Sequence, residues 1–160
     1  MTIKVGDHLP DASFKVMTAD GPGEKTSADL FNGKTVVLFG VPGAFTPTCH
    51  MNHLPGFLEH GDTIKSKGVD AIAVVSVNDV FVMDAWAKAS KANGAVEFLS
   101  DTDAAFIKAL GLALDAPIFG HTRSQRFALI AKDGEVTFLA VEDSPGEATA
   151  TGAAAILQAL

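Results

Sequence analysis

The chain has one cysteine among its 160 residues, no tyrosine, and few basic side chains: 12 Lys and Arg against 19 Asp and Glu, a formal net charge of −7. Each shortage excludes something. A lone cysteine cannot form an intrachain disulfide, so Cys49 is a buried small hydrophobe, a metal ligand in company, or a reactive thiol. The acidic balance argues against a nucleic-acid partner, because phosphate neutralisation needs a basic patch, and against an anionic membrane surface. No apolar run approaches the roughly 20 residues of a membrane-spanning helix. The opening MTIKVGDHLP lacks both the apolar core of a secretory signal and the Arg-rich character of a transit peptide, so a cytoplasmic location is expected. There is no GxGxxG or GxxxxGK[ST] phosphate loop and no paired Cys/His spacing of the zinc kind, so no cofactor and no metal are expected. Without tyrosine, the 11 phenylalanines must supply most of the aromatic core.

With 48% hydrophobic and 19% charged residues, the composition is that of a globular chain, and its length suits one domain spanning residues 1–160. No repeat, low-complexity tract or linker interrupts it. Ala12–Met17 reads as a weak strand before the turn Asp20-Gly21-Pro22-Gly23. Thr26–Phe31 reads as a short helix closed at Asn32-Gly33. Thr35–Val41 is an apolar run suited to a strand buried on both faces. Beyond the loop Pro42–Thr48, a helix is expected from Cys49 to about Lys67, kinked or broken at Pro55-Gly56. Asp70–Val77 is a second buried strand. A helix capped by Asn78 or Asp79 runs to about Ala92, with Phe81, Val82, Ala85 and Trp86 as its apolar face. Val96–Leu99 is a third strand, and a helix capped by Asp101 or Thr102 ends at Gly111. Ala113–Gln125 looks irregular. Arg126–Ala131 and Glu135–Val141 form a hairpin through Lys132-Asp133-Gly134. Thr149–Leu160 closes the chain as a helix. This order predicts an α/β fold with a mixed central sheet and helices on both faces.

Chemistry concentrates at the strand-loop-helix junction. Two prolines and a glycine in Pro42–Thr48 fix a non-helical path. Thr46 or Thr48 can cap the following helix, and Pro47 is acceptable in its first turn. Cys49 then sits in that turn, where unpaired N–H groups and the helix dipole favour a thiolate, the nucleophilic form. A second cation would strengthen the case. If the strand beginning at Arg126 lies beside Thr35–Val41, its permanently charged guanidinium reaches Cys49; Arg123 competes for the role. His53, four residues after Cys49, can share its helical face as a Cys-His pair, or pack and hydrogen-bond beneath the loop.

Pro42-Gly43-Ala44-Phe45-Thr46-Pro47-Thr48-Cys49, followed by His53-Leu54-Pro55-Gly56-Phe57, resembles the signature of the peroxiredoxins, in particular the Prx5 or type II subfamily. Ser76-Val77-Asn78-Asp79 with Phe81-Val82-Met83 and Ala85-Trp86, then Arg126-Phe127 and Asp133-Gly134, resemble its later blocks, so the likeness spans nearly the whole chain. The resemblance implies a thioredoxin-like fold and reduction of hydrogen peroxide and organic hydroperoxides. It implies Cys49 as the nucleophile, Thr46 as a hydrogen-bond partner of thiolate and peroxide, Pro42 as the shield of the pocket, and Arg126 as the group that stabilises the thiolate and positions the peroxide. It also implies a homodimer, for which Phe45, Phe81 and Phe119 are the expected contacts. Some relatives carry a second, resolving cysteine, where this chain has Val74 or Glu147–Thr151. An external thiol is therefore needed, either glutathione with glutaredoxin or thioredoxin. Two other readings compete: a non-catalytic peroxide sensor or redox chaperone, and a Cys-His hydrolase built on Cys49 and His53.

Overall fold

The computed structural model describes residues 2–92 and 94–160. Among these, β1 (Ser13–Thr18), β2 (Gly21–Thr26), β3 (Thr35–Gly40), β4 (Ala71–Ser76), β5 (Glu97–Ser100), β8 (Phe127–Lys132) and β9 (Glu135–Val141) form one mixed sheet in the order β2-β1-β5-β4-β3-β8-β9. A second, small sheet pairs β6 (Ala113–Leu114) with β7 (Arg123–Ser124). The apolar run of β3 makes it central: it runs parallel to β4 and antiparallel to β8.

Successive side chains of β3 point to opposite faces. Val36 and Leu38 enter one core with Leu30 and Phe31 of α1 (Ser27–Phe31) and Phe106, Ile107 and Leu110 of α4 (Ala105–Leu110). Val37 and Phe39 enter the other. There they meet Leu54, Phe57 and Ile64 of α2 (Leu54–Ser66), Met83 and Trp86 of α3 (Val80–Ala89), and Ile156 of α5 (Ala153–Ala159). Phenylalanine carries much of this packing, and Phe39 stacks on Phe57 with ring centroids 4.2 Å apart. Helices thus cover both faces, as the alternation of elements requires.

Several elements differ from the sequence-based expectation. Gly21-Pro22-Gly23 is not the turn but the start of β2, which pairs along β1 so that only Ala19-Asp20 bridges Thr18 and Gly21. A proline is tolerated there because β2 is an edge strand. Pro55 does not break its helix. The chain instead takes a wide π turn over Cys49–His53, in which the Leu54 N–H reaches back to the Cys49 carbonyl. Pro55 has no N–H to continue an ordinary α ladder, and the extra residue in the turn absorbs that loss. On α3 the buried face is Val80, Met83, Trp86 and Ala87; of the four residues expected there only Trp86 is buried, while Val82 is half-buried, Ala85 exposed and Phe81 66% exposed. Aromatic character suggested burial for Phe81, but the helix phase is set by Trp86. Asp79 is the N-cap of α3. Asp101 precedes α4 by several residues, yet its carboxylate accepts the Phe106 and Ile107 N–H groups. Thr149–Gly152 stays outside α5.

What positions the site is the register of β3 against β8. Gly40 pairs with Phe127, so Arg126 stands beyond the end of β3, where the Cys49 loop begins. Gly40 is required by close approach: a Cβ there would run into the Phe127 ring.

Candidate active site

The loop after β3 is held from below by Asn78. Its Oδ1 accepts the Ala44 N–H at 2.9 Å and the Ser76 hydroxyl at 2.6 Å, and its carbonyl accepts the Ser100 hydroxyl. Phe45 takes a left-handed backbone, φ 63°, to make the turn, and the Thr46 N–H and hydroxyl both reach the Gly43 carbonyl, the hydroxyl at 2.7 Å. Helical geometry begins at Pro47, and the His50 N–H donates to the Thr46 carbonyl at 2.8 Å. Cys49 therefore lies in the first turn as expected, where backbone N–H groups lack intrahelical acceptors. Neither threonine caps through its side chain. The Thr46 hydroxyl stays within the turn, and the Thr48 hydroxyl donates to the Gly146 carbonyl at 2.9 Å.

Cys49 is fully buried. Its sulfur accepts a hydrogen bond from Arg126 Nη2 at 2.8 Å, so the antiparallel pairing of β8 with β3 delivers the arginine that the sequence singled out. Arg126, only 2% exposed, places two further donors on fixed acceptors: Nε on the Pro145 carbonyl at 3.0 Å and Nη1 on His53 Nδ1 at 2.9 Å. Arg123, the competing candidate, turns away. Its Nη1 donates to the Val77 carbonyl at 3.1 Å and its guanidinium lies over the Phe119 ring, 5.7 Å from the centroid. It is near enough for Cys49 to favour its charged form, though burial is the larger influence and lowers its pKa.

His53 shares the helical face of Cys49 but does not serve it as a base. Both ring nitrogens are committed: Nε2 donates to the Thr151 carbonyl at 2.8 Å and Nδ1 accepts from Arg126. Burial drives its pKa from 6.5 down to about 4; the Thr151 carbonyl opposes that shift, and the Arg126 charge adds to it. The ring is neutral at neutral pH. A Cys-His hydrolase needs an imidazole free to take the thiol proton, and this one is not. His50 instead accepts the Trp86 indole N–H at 3.0 Å.

A cavity of about 550 Å³ opens at Arg126, the residue that bonds the sulfur. Pro42, Thr46, Pro47, Thr48, Arg126, Pro145 and Gly146 line it, with Ile118 and Phe119 from the segment between β6 and β7. Of the four residues expected from the sequence, Pro42, Thr46 and Arg126 line this cavity, and Cys49 joins them through its bond to Arg126; the Thr46 hydroxyl bonds the Gly43 carbonyl and not the sulfur. Asn78 supports the site and lies in a block that carried the family resemblance, without a role at the site read from it; Pro145, Thr151 and Glu142 also support the site, with no role there read from the sequence. Among the described residues, no cluster of three or more His, Cys, Asp or Glu could hold a metal ion.

The neutrality of His53 has a consequence for stability. The unfolded chain protonates this ring near 6.5 and the folded one near 4. Between those values the unfolded state binds more protons, so stability is complete above the window and falls as pH drops through it. Urea unfolding should show a loss on the order of 1–3 kcal/mol across that window, reduced in His53→Gln. An equal loss in the variant would place the acid sensitivity elsewhere.

The redoxin family profile matches residues 4–157. Peroxiredoxin-2C of Oryza sativa subsp. japonica is 48% identical over 160 residues, covering 99% of this chain and 98% of its own. Among solved structures, reduced Prx3 of Vibrio vulnificus in complex with hydrogen peroxide matches with a TM-score of 0.94 and 49% identity, over 99% of both chains. Peroxiredoxin 5 of Alvinella pompejana matches with a TM-score of 0.84 and 34% identity, over 98% of this chain and 97% of that one. The fold is therefore the thioredoxin-like one that the sequence implied, and the chain belongs to the redoxin family, within its peroxiredoxins of the type II, Prx5-like group.

Proposed function

We propose that the chain, acting as one domain over residues 1–160, reduces hydrogen peroxide and organic hydroperoxides with Cys49 as the attacking thiolate. The observation that carries this reading is the 2.8 Å contact between Arg126 Nη2 and Cys49 Sγ, both buried at the head of a helix. The Cys49 thiolate attacks the terminal oxygen of the hydroperoxide in line with the O–O bond. An S–O bond forms, the O–O bond breaks, and the departing oxygen takes a proton to leave as water or an alcohol. Cys49 is left as a sulfenic acid. Charge moves from sulfur to the departing oxygen, so donors fixed between the two stabilise the transition state more than the reactants. Arg126 reaches both positions. The Thr46 hydroxyl, whose hydrogen is on the Gly43 carbonyl, keeps lone pairs to accept the peroxide O–H. Pro42 is buried at the cavity wall and keeps water from the sulfur.

Arg126→Met should lower the second-order rate constant with hydrogen peroxide by about 10²–10³, the usual cost of one preorganised donor. Arg123→Met should cost far less, because its guanidinium bonds the Val77 carbonyl and lies over Phe119, with no bond to Cys49 Sγ. Rapid-mixing kinetics would check this; equal effects would mean that the working arginine is misassigned. Steady-state peroxide consumption with excess reducing thiol separates a peroxidase, which turns over, from a sensor, which is oxidised once.

The return half of the cycle needs an outside thiol, since Cys49 is the one cysteine in the chain. We place glutathione there: it forms a mixed disulfide with Cys49, releasing water, and glutaredoxin releases the thiol by exchange. Such a cycle suits a reducing compartment, which supports a cytoplasmic location. Mass spectrometry after one equivalent of peroxide with glutathione should find the adduct on Cys49, and glutaredoxin should speed turnover. Full turnover with thioredoxin and no adduct would assign the reductant to thioredoxin instead.

A homodimer packed beside the site belongs to the same proposal. Its support is the exposure of Phe45, 46%, and Phe81, 66%; Phe119 is half-buried under Arg123. Light scattering at micromolar concentration should give twice the mass of the chain, and monomer alone would remove the proposal.

A further inference from the structure

Arg126 is a buried cation without a carboxylate. None of the four ion pairs among the described residues includes it. Its Nη1 rests on a neutral imidazole nitrogen instead. A carboxylate in that place would pair with the guanidinium and draw its field away from the sulfur. A neutral imidazole accepts one hydrogen bond and leaves the positive charge to Cys49. That works only while His53 presents a bare Nδ1, which means the Nε2–H tautomer. Two contacts fix that tautomer: the Arg126 guanidinium, which can only donate, on Nδ1, and the Thr151 carbonyl, which can only accept, 2.8 Å from Nε2.

The Thr151 carbonyl is itself held. Glu142 accepts the Thr151 N–H at 2.8 Å and its hydroxyl at 2.6 Å, and the Thr149 hydroxyl at 3.4 Å. Burial alone would raise the Glu142 pKa, but these donors outweigh it and keep the carboxyl below its ordinary value, hence ionised. The Glu142 N–H also donates to the Arg126 carbonyl at 2.9 Å. The segment 142–151 that Glu142 closes on itself carries Pro145, whose carbonyl takes Arg126 Nε. One buried carboxylate thus holds Thr151, which carries the carbonyl on His53, and closes the segment that carries Pro145, without a contact to Cys49.

We propose that Glu142 is a positioning residue for the peroxidase site: by clamping Thr151 it holds His53 as the Nε2–H tautomer and thereby aims Arg126 at Cys49. The inference rests on the reading of Cys49 and Arg126 given above. The test compares Glu142→Ala, Glu142→Gln and Arg126→Met. Peroxide kinetics are measured alongside heteronuclear NMR of the histidine rings, which reads the tautomer from the ring nitrogen shifts. Glu142→Ala should lower the rate constant about 10- to 100-fold, the scale of a misplaced catalytic group, and its His53 should lose the pure Nε2–H signature. Glu142→Gln keeps an acceptor oxygen and should restore both the tautomer and most of the rate. A Glu142→Ala rate within about two-fold of the parent, or a lost rate with the tautomer unchanged, would overturn the proposal. If Glu142→Ala does not fold, Thr151→Val takes its place. It removes the 2.6 Å bond, and the same two readouts apply. Loss of activity in Arg126→Met but not in the Glu142 variants would sink this inference alone, whereas full activity in Arg126→Met would sink the underlying reading.

Discussion

A guanidinium that is 2% exposed and a fully buried sulfur sit 2.8 Å apart, with little water to screen them. Burying an arginine is costly unless its donors are satisfied and its charge is answered. Here the Pro145 carbonyl and His53 satisfy donors without answering the charge. Among the described residues, the third partner of Arg126 is Cys49 Sγ. A positive charge held there stabilises negative charge that moves onto a departing peroxide oxygen. One contact links the burial of the arginine to the reactivity of the cysteine.

The backbone around that contact explains why it holds its geometry. β3 ends at Gly40 because the Phe127 ring occupies the space where a side chain would stand, and this close approach fixes β8 beside the loop. Asn78 supports the loop from the end of β4, and Thr48 ties its far side to Gly146. The π turn over Cys49–His53 lets the helix pass Pro55. It also places Cys49 and His53 so that one guanidinium meets both. The single tryptophan, bonded to His50, lies next to this turn and is a natural optical reporter of it.

Much of this was legible in the chain itself. The apolar run Thr35–Val41, the Pro-Gly-rich loop and the cysteine after it define a strand, a turn and a helix start by local chemistry alone. Asp133-Gly134 marked its hairpin for the same reason. What local chemistry could not supply was the partner of β3, on which the choice between Arg126 and Arg123 depends. Phe81 misled because hydrophobic character does not fix the phase of a helix when a larger residue, Trp86, takes the core. Gly21-Pro22-Gly23 read as a turn because edge strands tolerate residues that central strands reject. The contacts of His53 and Glu142 with Thr151 join residues far apart along the chain or separated by an irregular loop, and no periodicity announces them.

The central claim is that the protein makes Cys49 far more reactive toward peroxide than an ordinary thiol. The most direct measurement is the second-order rate constant for oxidation of reduced Cys49 by hydrogen peroxide, followed through the fluorescence of Trp86 and confirmed by the gain of one oxygen atom at Cys49. A constant orders of magnitude above that of free cysteine under the same conditions is the result predicted. A constant equal to that of free cysteine would contradict the account, because it would show that Arg126 holds the sulfur without activating it.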